Sequence, residues 1–343
     1  MRSLYHASPL RLRVNAFSRV LRAAYHDTLY ASVEAGSRRE TVDAGEADAP
    51  YCVETYRGRL KLCPSSGLVF DDAVLLKGSS DRFMRERVPD YGRVYDREDR
   101  HVPIAISLRH GAEANYWHYF QLVATKAVIA DLHGMDPGIP LVLSRRQADV
   151  PFIRRTIELG VFGGRSLIIQ ENDEVLAADE ILVIRPPLHG PVYRDVLLDR
   201  LQIRGDSEVN DRLFVTRGKS AENDRRLQNE AEVERALEPF GFRTVDPQAY
   251  SLDDQMRLFA GCRFMISPHG AGLTNMIFRR GAPLDVIEIF NANLVNPCYR
   301  IVAEEYGFRH AHMVCETVSG KPRTAKPLVD VATLVDQVRD MAP

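Results

Sequence analysis

A glycine-rich segment at residues 266–275 carries the strongest chemical signal in the chain. Its letters, ISPHGAGLTN, join a buried apolar run to a helical stretch, and ligands of open α/β sheets bind at such junctions. Gly270 and Gly272 let the backbone approach a ligand closely, while the amides at the start of a helix favour phosphate. The pattern therefore predicts a diphosphate site, with a plain tight turn as the alternative. Three polar side chains flank the glycines: His269, Thr274 and Asn275.

A carboxylate and a cation stand at two further strand ends. Glu288 lies in the apolar run LDVIEIF, where a charge covered on both faces of a sheet needs a partner. It could cap a helix or grip ligand hydroxyls, and it should line the same crevice as His269. Arg217 follows the apolar run LFVT, and a cation at such a place can neutralise phosphate. Alternatively, Arg217 belongs to a solvated charged loop.

Two histidines, His310 and His312, alternate along another predicted strand and would share one of its faces. Cys315 lies nearby, but the sequence offers no fourth ligand for a zinc ion. We therefore assign these residues a structural role.

These residues need a framework of alternating strands and helices to bring them together. Apolar runs and helical patterns alternate from about residue 101 onward, which predicts parallel sheets covered by helices. A proline-containing, charge-rich stretch at residues 186–210 divides the pattern. We therefore predict an α/β fold of two Rossmann-like domains facing a cleft, at residues 1–195 and 196–343. The first domain includes an N-terminal extension of about 100 residues, in which residues 36–50 read as a loop.

The composition is that of an ordinary globular protein. The chain has 343 residues, of which 45% are hydrophobic and 27% charged, and ~150 residues per domain gives two domains. Lysine and arginine number 45 against 47 acidic residues, so no strong positive field exists to hold nucleic acid. Cysteine usage argues against disulfides and structural zinc, and no apolar run matches the ~20 residues of a membrane helix. We expect a cytoplasmic protein without metal or cofactor.

Residues 10–24 carry several arginines and no acid, with apolar residues at helical spacing. This pattern predicts a basic amphipathic helix. Such a helix could dock on the anionic inner face of a membrane. It could equally pack on the body of the protein with its arginines in water.

Further motifs are Asn115-Tyr-Trp-His118, Val215-Thr-Arg217, Asn229-Glu230 and Glu288-Ile289. Together with His269-Gly-Ala-Gly-Leu-Thr-Asn275, they resemble glycosyltransferase family 61 over roughly residues 105–310. The resemblance implies the GT-B architecture, a nucleotide-sugar donor held mainly by the second domain, inversion at the anomeric carbon and no essential metal. Bacterial members are commonly described as capsular polysaccharide biosynthesis proteins. Asn115-Tyr-Trp-His118 is similar to the family's Asn-x-x-His segment.

The resemblance places the donor and the acceptor on opposite sides of a cleft. His269 would be catalytic or contact the diphosphate or the donor sugar, and Asn115 would lie on the acceptor side. The other donor-binding residues are Arg217, Gly270, Ala271, Gly272, Leu273, Thr274, Asn275 and Glu288.

The general base is the weakest part of the resemblance. The family often has an acidic residue four positions after the histidine of the Asn-x-x-His segment, but this chain has Leu122 there. We predict His118 as the base, because imidazole titrates near neutrality, and Glu113 as the second choice.

The function expected from the sequence is inverting transfer of a sugar from a nucleotide-sugar donor to a glycan hydroxyl. The enzyme would be a hexosyl- or pentosyltransferase of capsular or exopolysaccharide synthesis. One alternative is a nucleotide-sugar epimerase, which also uses two Rossmann-like domains. Another is a non-catalytic nucleotide-sugar or glycan-binding subunit, which the leucine at position 122 favours. The sequence names neither the sugar, the acceptor nor the oligomeric state.

Overall fold

A computed structural model describes most of the chain as two β-sheets with helices packed on them. The described residues are 38–44, 51–71, 74–76, 96–187, 190–203, 209, 211–218, 226–317 and 325–341. The amphipathic helix predicted at residues 10–24 lies outside them.

Thirteen strands and nine α-helices lie in this part of the chain. The strands are β1 (Arg38–Ala44), β2 (Tyr51–Leu62), β3 (Val69–Asp71), β4 (Val74–Leu75), β5 (Arg100–Ser107), β6 (Leu141–Ser144), β7 (Leu167–Gln170), β8 (Leu176–Arg185), β9 (Asp211–Val215), β10 (Phe242–Val245), β11 (Cys262–Pro268), β12 (Asp285–Asn291) and β13 (Arg309–Cys315). The α-helices are α1 (Tyr116–His118), α2 (Ala124–Leu132), α3 (Arg145–Ala148), α4 (Pro151–Glu158), α5 (Pro191–Arg200), α6 (Glu230–Leu237), α7 (Leu252–Ala260), α8 (Cys298–Glu305) and α9 (Val331–Met341).

The first sheet combines a parallel core with an antiparallel extension. Its order is β4-β3-β2-β8-β5-β6-β7, with β1 also paired to β2. Strands β8, β5, β6 and β7 pair in parallel. Numbered along the chain, these four strands have the order 3-2-1-4 of one doubly wound arrangement. Strand β2 pairs antiparallel with β8, and strands β1 and β3 pair with β2.

The loop predicted at residues 36–50 is wrong for residues 38–44, which form strand β1. Strand β1 pairs with β2 from Arg38 opposite Arg57 to Ala44 opposite Tyr51. Backbone hydrogen bonds to a partner strand, rather than apolar alternation, define this strand. Part of the predicted N-terminal extension therefore belongs to the first sheet.

The second sheet is entirely parallel and has the order β10-β9-β11-β12-β13. Along the chain this is the 2-1-3-4-5 order, whose switch point lies between the first and third strands. Here these strands are β9 and β11. The loops that follow Val215 and Pro268 therefore leave the same edge of the sheet side by side.

One hydrophobic cluster joins the two sheets. It contains Phe120 from the first half of the chain and Phe278 from the second, and their rings lie 5.9 Å apart, edge to face. Helix α5 contributes Tyr193 and Leu197 to the same cluster. A domain boundary at 195/196 thus falls inside a helix, and the division into two domains stays a prediction. Across the described ranges, no helix has the length and apolarity to span a bilayer.

Side-chain caps fix the starts of helices α3 and α7. Ser144 ends β6 and forms a capping box with Gln147, in which each side chain bonds the other's backbone amide. Ser251 accepts a hydrogen bond from the Asp254 amide at 3.1 Å. Such caps satisfy amides that the helix itself leaves without partners.

Candidate functional site

The glycine-rich segment lies where strand β11 ends in the second sheet. The His269 amide donates to the Ile289 carbonyl at 2.8 Å, which extends the pairing with β12 by one residue. A 3-10 helix, Ala271–Arg279, begins directly after Gly270. Its first bond runs from the Leu273 amide to the Gly270 carbonyl at 3.0 Å. The amides of residues 271 and 272 therefore precede the first helical bond and point out of the helix start.

Arg217 reaches this loop from the neighbouring strand end. Its Nη1 donates to the His269 carbonyl at 3.1 Å, so the structure brings together two predicted donor-binding segments across the switch point. A Cβ at Gly270 would overlap that Nη1 atom. Glycine is thus needed at position 270 for the guanidinium to lie against the loop.

Gly272 is constrained by packing rather than by Arg217. A Cβ there would lie 3.2 Å from Cγ1 of Val215 and 3.8 Å from Cγ of Pro247. The helix start consequently lies close against the end of β9. Leu273, which follows, is fully buried in the hydrophobic cluster.

Glu288 is clamped between two histidines. Its side chain is 0% exposed on β12. Oε1 lies 2.6 Å from Nδ1 of His269, and Oε2 lies 3.0 Å from Nε2 of His310. Three adjacent strand regions supply this cluster, which we call the His–Glu–His clamp. The carboxylate neither caps a helix nor turns an oxygen to solvent, and His310 gains a specific partner that the sequence did not suggest.

Aromatic rings pack against His269 and link it to the other half of the chain. The ring of Phe290 stacks on it with centroids 5.0 Å apart, and Tyr299 of α8 contacts it edge-on at 5.5 Å. Tyr299 in turn meets the Trp117 ring at 4.7 Å. Burial raises the pKa of Tyr299 well above its ordinary value, so its hydroxyl stays protonated.

Asn275 joins the two predicted sides of the site. Its amide is fully buried, Oδ1 accepts from the Tyr116 hydroxyl at 2.8 Å, and Nδ2 donates to the Gly272 carbonyl at 3.1 Å. Thr274 is also buried. Of the residues predicted to bind the donor, Asn275 therefore uses both polar atoms of its side chain in hydrogen bonds within the protein.

The Asn-x-x-His segment forms the start of a long helical stretch. Asn115 caps α1, because its Oδ1 accepts from the His118 amide at 3.3 Å. His118 stacks on His110 with ring centroids 5.1 Å apart. A π-helical turn, Tyr119–Val123, follows before α2 begins. Leu122 lies half-buried in that turn.

Glu113 is the centre of a separate buried network near the end of β5. Its Oε2 accepts from Arg109 Nε at 2.9 Å and from the His110 amide at 3.2 Å, while Oε1 accepts from Ser144 Oγ at 2.6 Å. Burial raises the pKa of Glu113, but Arg109 and the hydrogen bonds outweigh it and hold the pKa below its ordinary value. A carboxylate saturated in this way is poorly suited to take a proton from a substrate.

Arg109 is a residue that the sequence prediction missed. It is buried, its Nη2 donates to the Pro64 carbonyl at 2.9 Å, and its own carbonyl accepts from Lys126 Nζ at 2.7 Å. The signal was present, because Arg109 follows the strand-like run HVPIAISL as Arg217 follows LFVT. An arginine directly after an apolar strand thus belongs to a buried hydrogen-bond network in the first sheet and to a candidate ligand site in the second.

No cluster of three or more His, Cys, Asp and Glu residues is arranged to hold a metal ion in the portion of the chain that the structure describes. In the same portion, His310 and His312 lie with ring centroids 6.4 Å apart. The clamp is therefore an arrangement of hydrogen bonds.

A family model described as Glycosyltransferase 61 matches residues 83–284, more than half of the chain. The matched stretch contains Arg217 and the glycine-rich segment, and it ends before Glu288. No curated protein matches the chain.

Proposed function

The chain belongs to glycosyltransferase family 61, and we propose that it transfers a sugar from a nucleotide-sugar donor to a glycan hydroxyl. Membership implies glycosyltransferase activity. The proposal adds a nucleotide-sugar donor, inversion at the anomeric carbon, and a GT-B arrangement of two Rossmann-like units. A role in capsular or exopolysaccharide synthesis is part of the same proposal.

The contact of Arg217 with the glycine-rich loop carries this proposal. Glycosyl transfer passes through an oxocarbenium-like transition state, and negative charge grows on the departing diphosphate. Fixed donors aimed at that charge lower the barrier. The guanidinium and the amides of residues 271 and 272 converge at the switch point of a parallel sheet, where such ligands bind. Together they would place positive potential where the diphosphate is proposed to bind.

The acceptor is proposed to approach from the Asn-x-x-His segment. Helix α1 contacts the donor loop through the 2.8 Å bond from Tyr116 to Asn275 and through the Trp117–Tyr299 ring contact. Residues on α1 therefore lie next to the loop that would hold the diphosphate. This proximity supports transfer between two substrates bound on the two sides.

Charge neutralisation by Arg217 and the helix start also supports a metal-independent reaction. We expect full activity in EDTA. Loss of activity in EDTA that manganese restores would overturn this part of the proposal.

Donor binding is tested on the full chain with a panel of UDP-, GDP- and CMP-sugars, followed by thermal unfolding. A true donor at a hundredfold excess over its Kd should stabilise the protein by about 2.7 kcal/mol. Arg217→Ala should abolish most of that stabilisation, because a charge-assisted hydrogen bond contributes about 1.5–3 kcal/mol. Arg243→Ala is the matched control. Arg243 pairs with Asp211 at the amino end of β9, whereas Arg217 follows the carboxyl end of the same strand.

The reaction is tested by product analysis with the donor that the panel identifies. Release of nucleoside diphosphate with sugar transfer or donor hydrolysis supports the transferase. Binding without either reaction would favour a non-catalytic subunit, which is the alternative that Leu122 favours. If the donor stabilised the parent and Arg217→Ala equally, the donor would bind at a site other than the one next to Arg217.

A further inference from the structure

We propose that His269 is the base that removes the proton from the acceptor hydroxyl, and that Glu288 and His310 position it. This inference rests on the proposed transfer reaction and replaces His118 and Glu113 as the candidate base. The His–Glu–His clamp carries it, and no pattern in the sequence connected Glu288 with His310.

The clamp selects the tautomer of His269. A carboxylate accepts hydrogen bonds and cannot donate them, so the 2.6 Å contact with Oε1 of Glu288 requires a proton on Nδ1 of His269. The lone pair then lies on Nε2. This nitrogen has no hydrogen-bond partner among the described residues, and the ring keeps 12% of its side-chain surface exposed. His269 therefore presents a proton acceptor outward while a buried carboxylate orients its other side.

His310 holds the far side of the carboxylate. Its Nε2 lies 3.0 Å from Oε2 of Glu288, and its side chain is buried. Nδ1 of His310 is buried without a hydrogen-bond partner, so a second proton on that ring would create an unsatisfied buried donor. A proton taken up by His269 consequently stays on His269. His310 acts as a positioning residue that keeps Oε1 of Glu288 aimed at His269.

The proton transfer balances within the proposed reaction. The acceptor oxygen forms a bond to the anomeric carbon as the bond from that carbon to the diphosphate breaks. The electron pair of the broken bond leaves with the diphosphate, and the hydroxyl proton passes to Nε2 of His269. The resulting imidazolium keeps its Nδ1 proton on the Glu288 carboxylate. The buried carboxylate thereby stabilises the charge of the imidazolium.

Three ionisable groups near His269 and Glu288 stay protonated near neutral pH. Burial, with a smaller contribution from the charge of Glu288, raises the pKa of the Cys298 thiol to about 12. Burial also raises the pKa of the Tyr299 phenol. Arg217 stays protonated because it is a guanidinium.

The kinetic test compares variants of the full chain, using the donor that the thermal panel identifies. His269→Gln should lower turnover by about a hundredfold or more and leave donor affinity nearly unchanged. Glu288→Gln should also lower turnover strongly. His310→Leu should lower turnover, whereas His310→Gln should restore it, because an amide N–H can still donate to Glu288. His312→Gln, an exposed histidine on the same strand, is the matched control.

A spectroscopic test does not depend on turnover. Long-range ¹H–¹⁵N NMR of histidine-labelled protein should show the Nδ1-protonated tautomer for the His269 ring, whose signals are identified by their loss in His269→Gln. The Nε2-protonated tautomer would overturn the clamp as drawn. Near-parental turnover of His269→Gln would overturn the base, as would a loss that follows donor affinity alone.

Failure of the proposed transfer reaction has a different signature. A parent chain that neither binds nor turns over any sugar nucleotide would overturn the proposed function and the role of His269 as a base together. The tautomer measurement would still decide whether Glu288 orients His269. His118→Ala adds a last comparison, because a large loss of turnover there with full activity in His269→Gln would return the base to His118.

Discussion

Glu113 in the first half of the chain and Glu288 in the second are both buried, but partners of different chemistry hold them. Glu113 accepts from the Arg109 guanidinium and the Ser144 hydroxyl. Glu288 lies between two imidazoles. A guanidinium stays protonated at any ordinary pH, whereas imidazole gains and loses a proton near neutrality. The partner, rather than the burial of the carboxylate, therefore decides whether such a group can take part in proton transfer.

This difference assigns the two regions different tasks. The Glu113 network ties Arg109 to the Pro64 carbonyl and to the helix start at Ser144, so it should serve stability. The His–Glu–His clamp lies beside the candidate donor loop, so it should serve chemistry. Changes in the first region should alter unfolding and leave donor binding intact, whereas changes at Arg217 and Gly270 should do the reverse.

Removing Arg109 should have the largest effect on stability. Arg109→Met leaves Glu113 as an uncompensated buried charge, and breaking a buried ion pair in this way costs about 3–5 kcal/mol. Urea unfolding monitored by circular dichroism measures the loss. Arg57→Met, which removes an ion pair with Glu180 that is largely open to solvent, should cost less than about 1 kcal/mol. Equal losses in the two variants would contradict the assigned role.

Acid should reproduce part of that loss in the parent protein. The pKa of Glu113 is lowered on folding, so below its ordinary value of 4.5 the unfolded state binds more protons than the folded state. The stabilising contribution of Glu113 is therefore complete above pH 4.5 and is lost as the pH falls through the lower folded pKa.

Unfolding free energies measured between neutral pH and the acidic range test this dependence. Glu113→Gln should be less stable than the parent at neutral pH and should show a shallower decline in acid. Parallel curves for the two proteins would mean that Glu113 is not the group responsible.

At the donor loop, Gly270→Ala should weaken donor binding by about tenfold to a hundredfold, because the added Cβ displaces the guanidinium of Arg217 and loses a charge-assisted contact. Gly272→Ala should bind the donor more nearly as the parent does, since its Cβ would face Val215. Titration calorimetry with the identified nucleotide sugar compares the two. Equal weakening would show that the backbone itself, rather than Arg217, limits the approach of the donor.

The smallest effect is expected where the two regions meet. Tyr116→Phe removes one neutral hydrogen bond to Asn275 and should cost about 0.5–1.5 kcal/mol of unfolding free energy. Tyr250→Phe, at an exposed tyrosine, should cost nothing measurable. A larger drop in turnover than in stability for Tyr116→Phe would show that this bond also aligns the two sides of the site.

The second sheet could be predicted well from the sequence, because its strands and helices alternate with clear local signals. The loop after β11 and its approach to Arg217 follow from the rule that parallel strand ends share one edge. The first sheet was harder. Strand β1 has the polar sequence RRETVDA, and only its pairing with β2 makes it a strand.

The partners of the site residues could not be predicted from spacing. Glu288 was recognised as a buried charge, but its bond to His310 depends on how β12 and β13 align. Asn275 was recognised as polar and close to the glycines, yet its side chain bonds to Tyr116, 159 residues away. Such contacts depend on tertiary packing between distant segments, which local patterns do not specify.

The antiparallel pairing of β2 with β8 also sets an order of events during synthesis. Glu54 and Arg185, whose side chains bond at 2.9 Å, are 131 residues apart. At about 5–20 residues per second, a ribosome needs on the order of ten seconds to add that stretch. Because β8 is the strand that connects β2 to β5, the N-terminal strands cannot join the parallel core until β8 has emerged. For that interval β2 has a long unpaired edge, and the nascent chain is then most open to pairing with other chains.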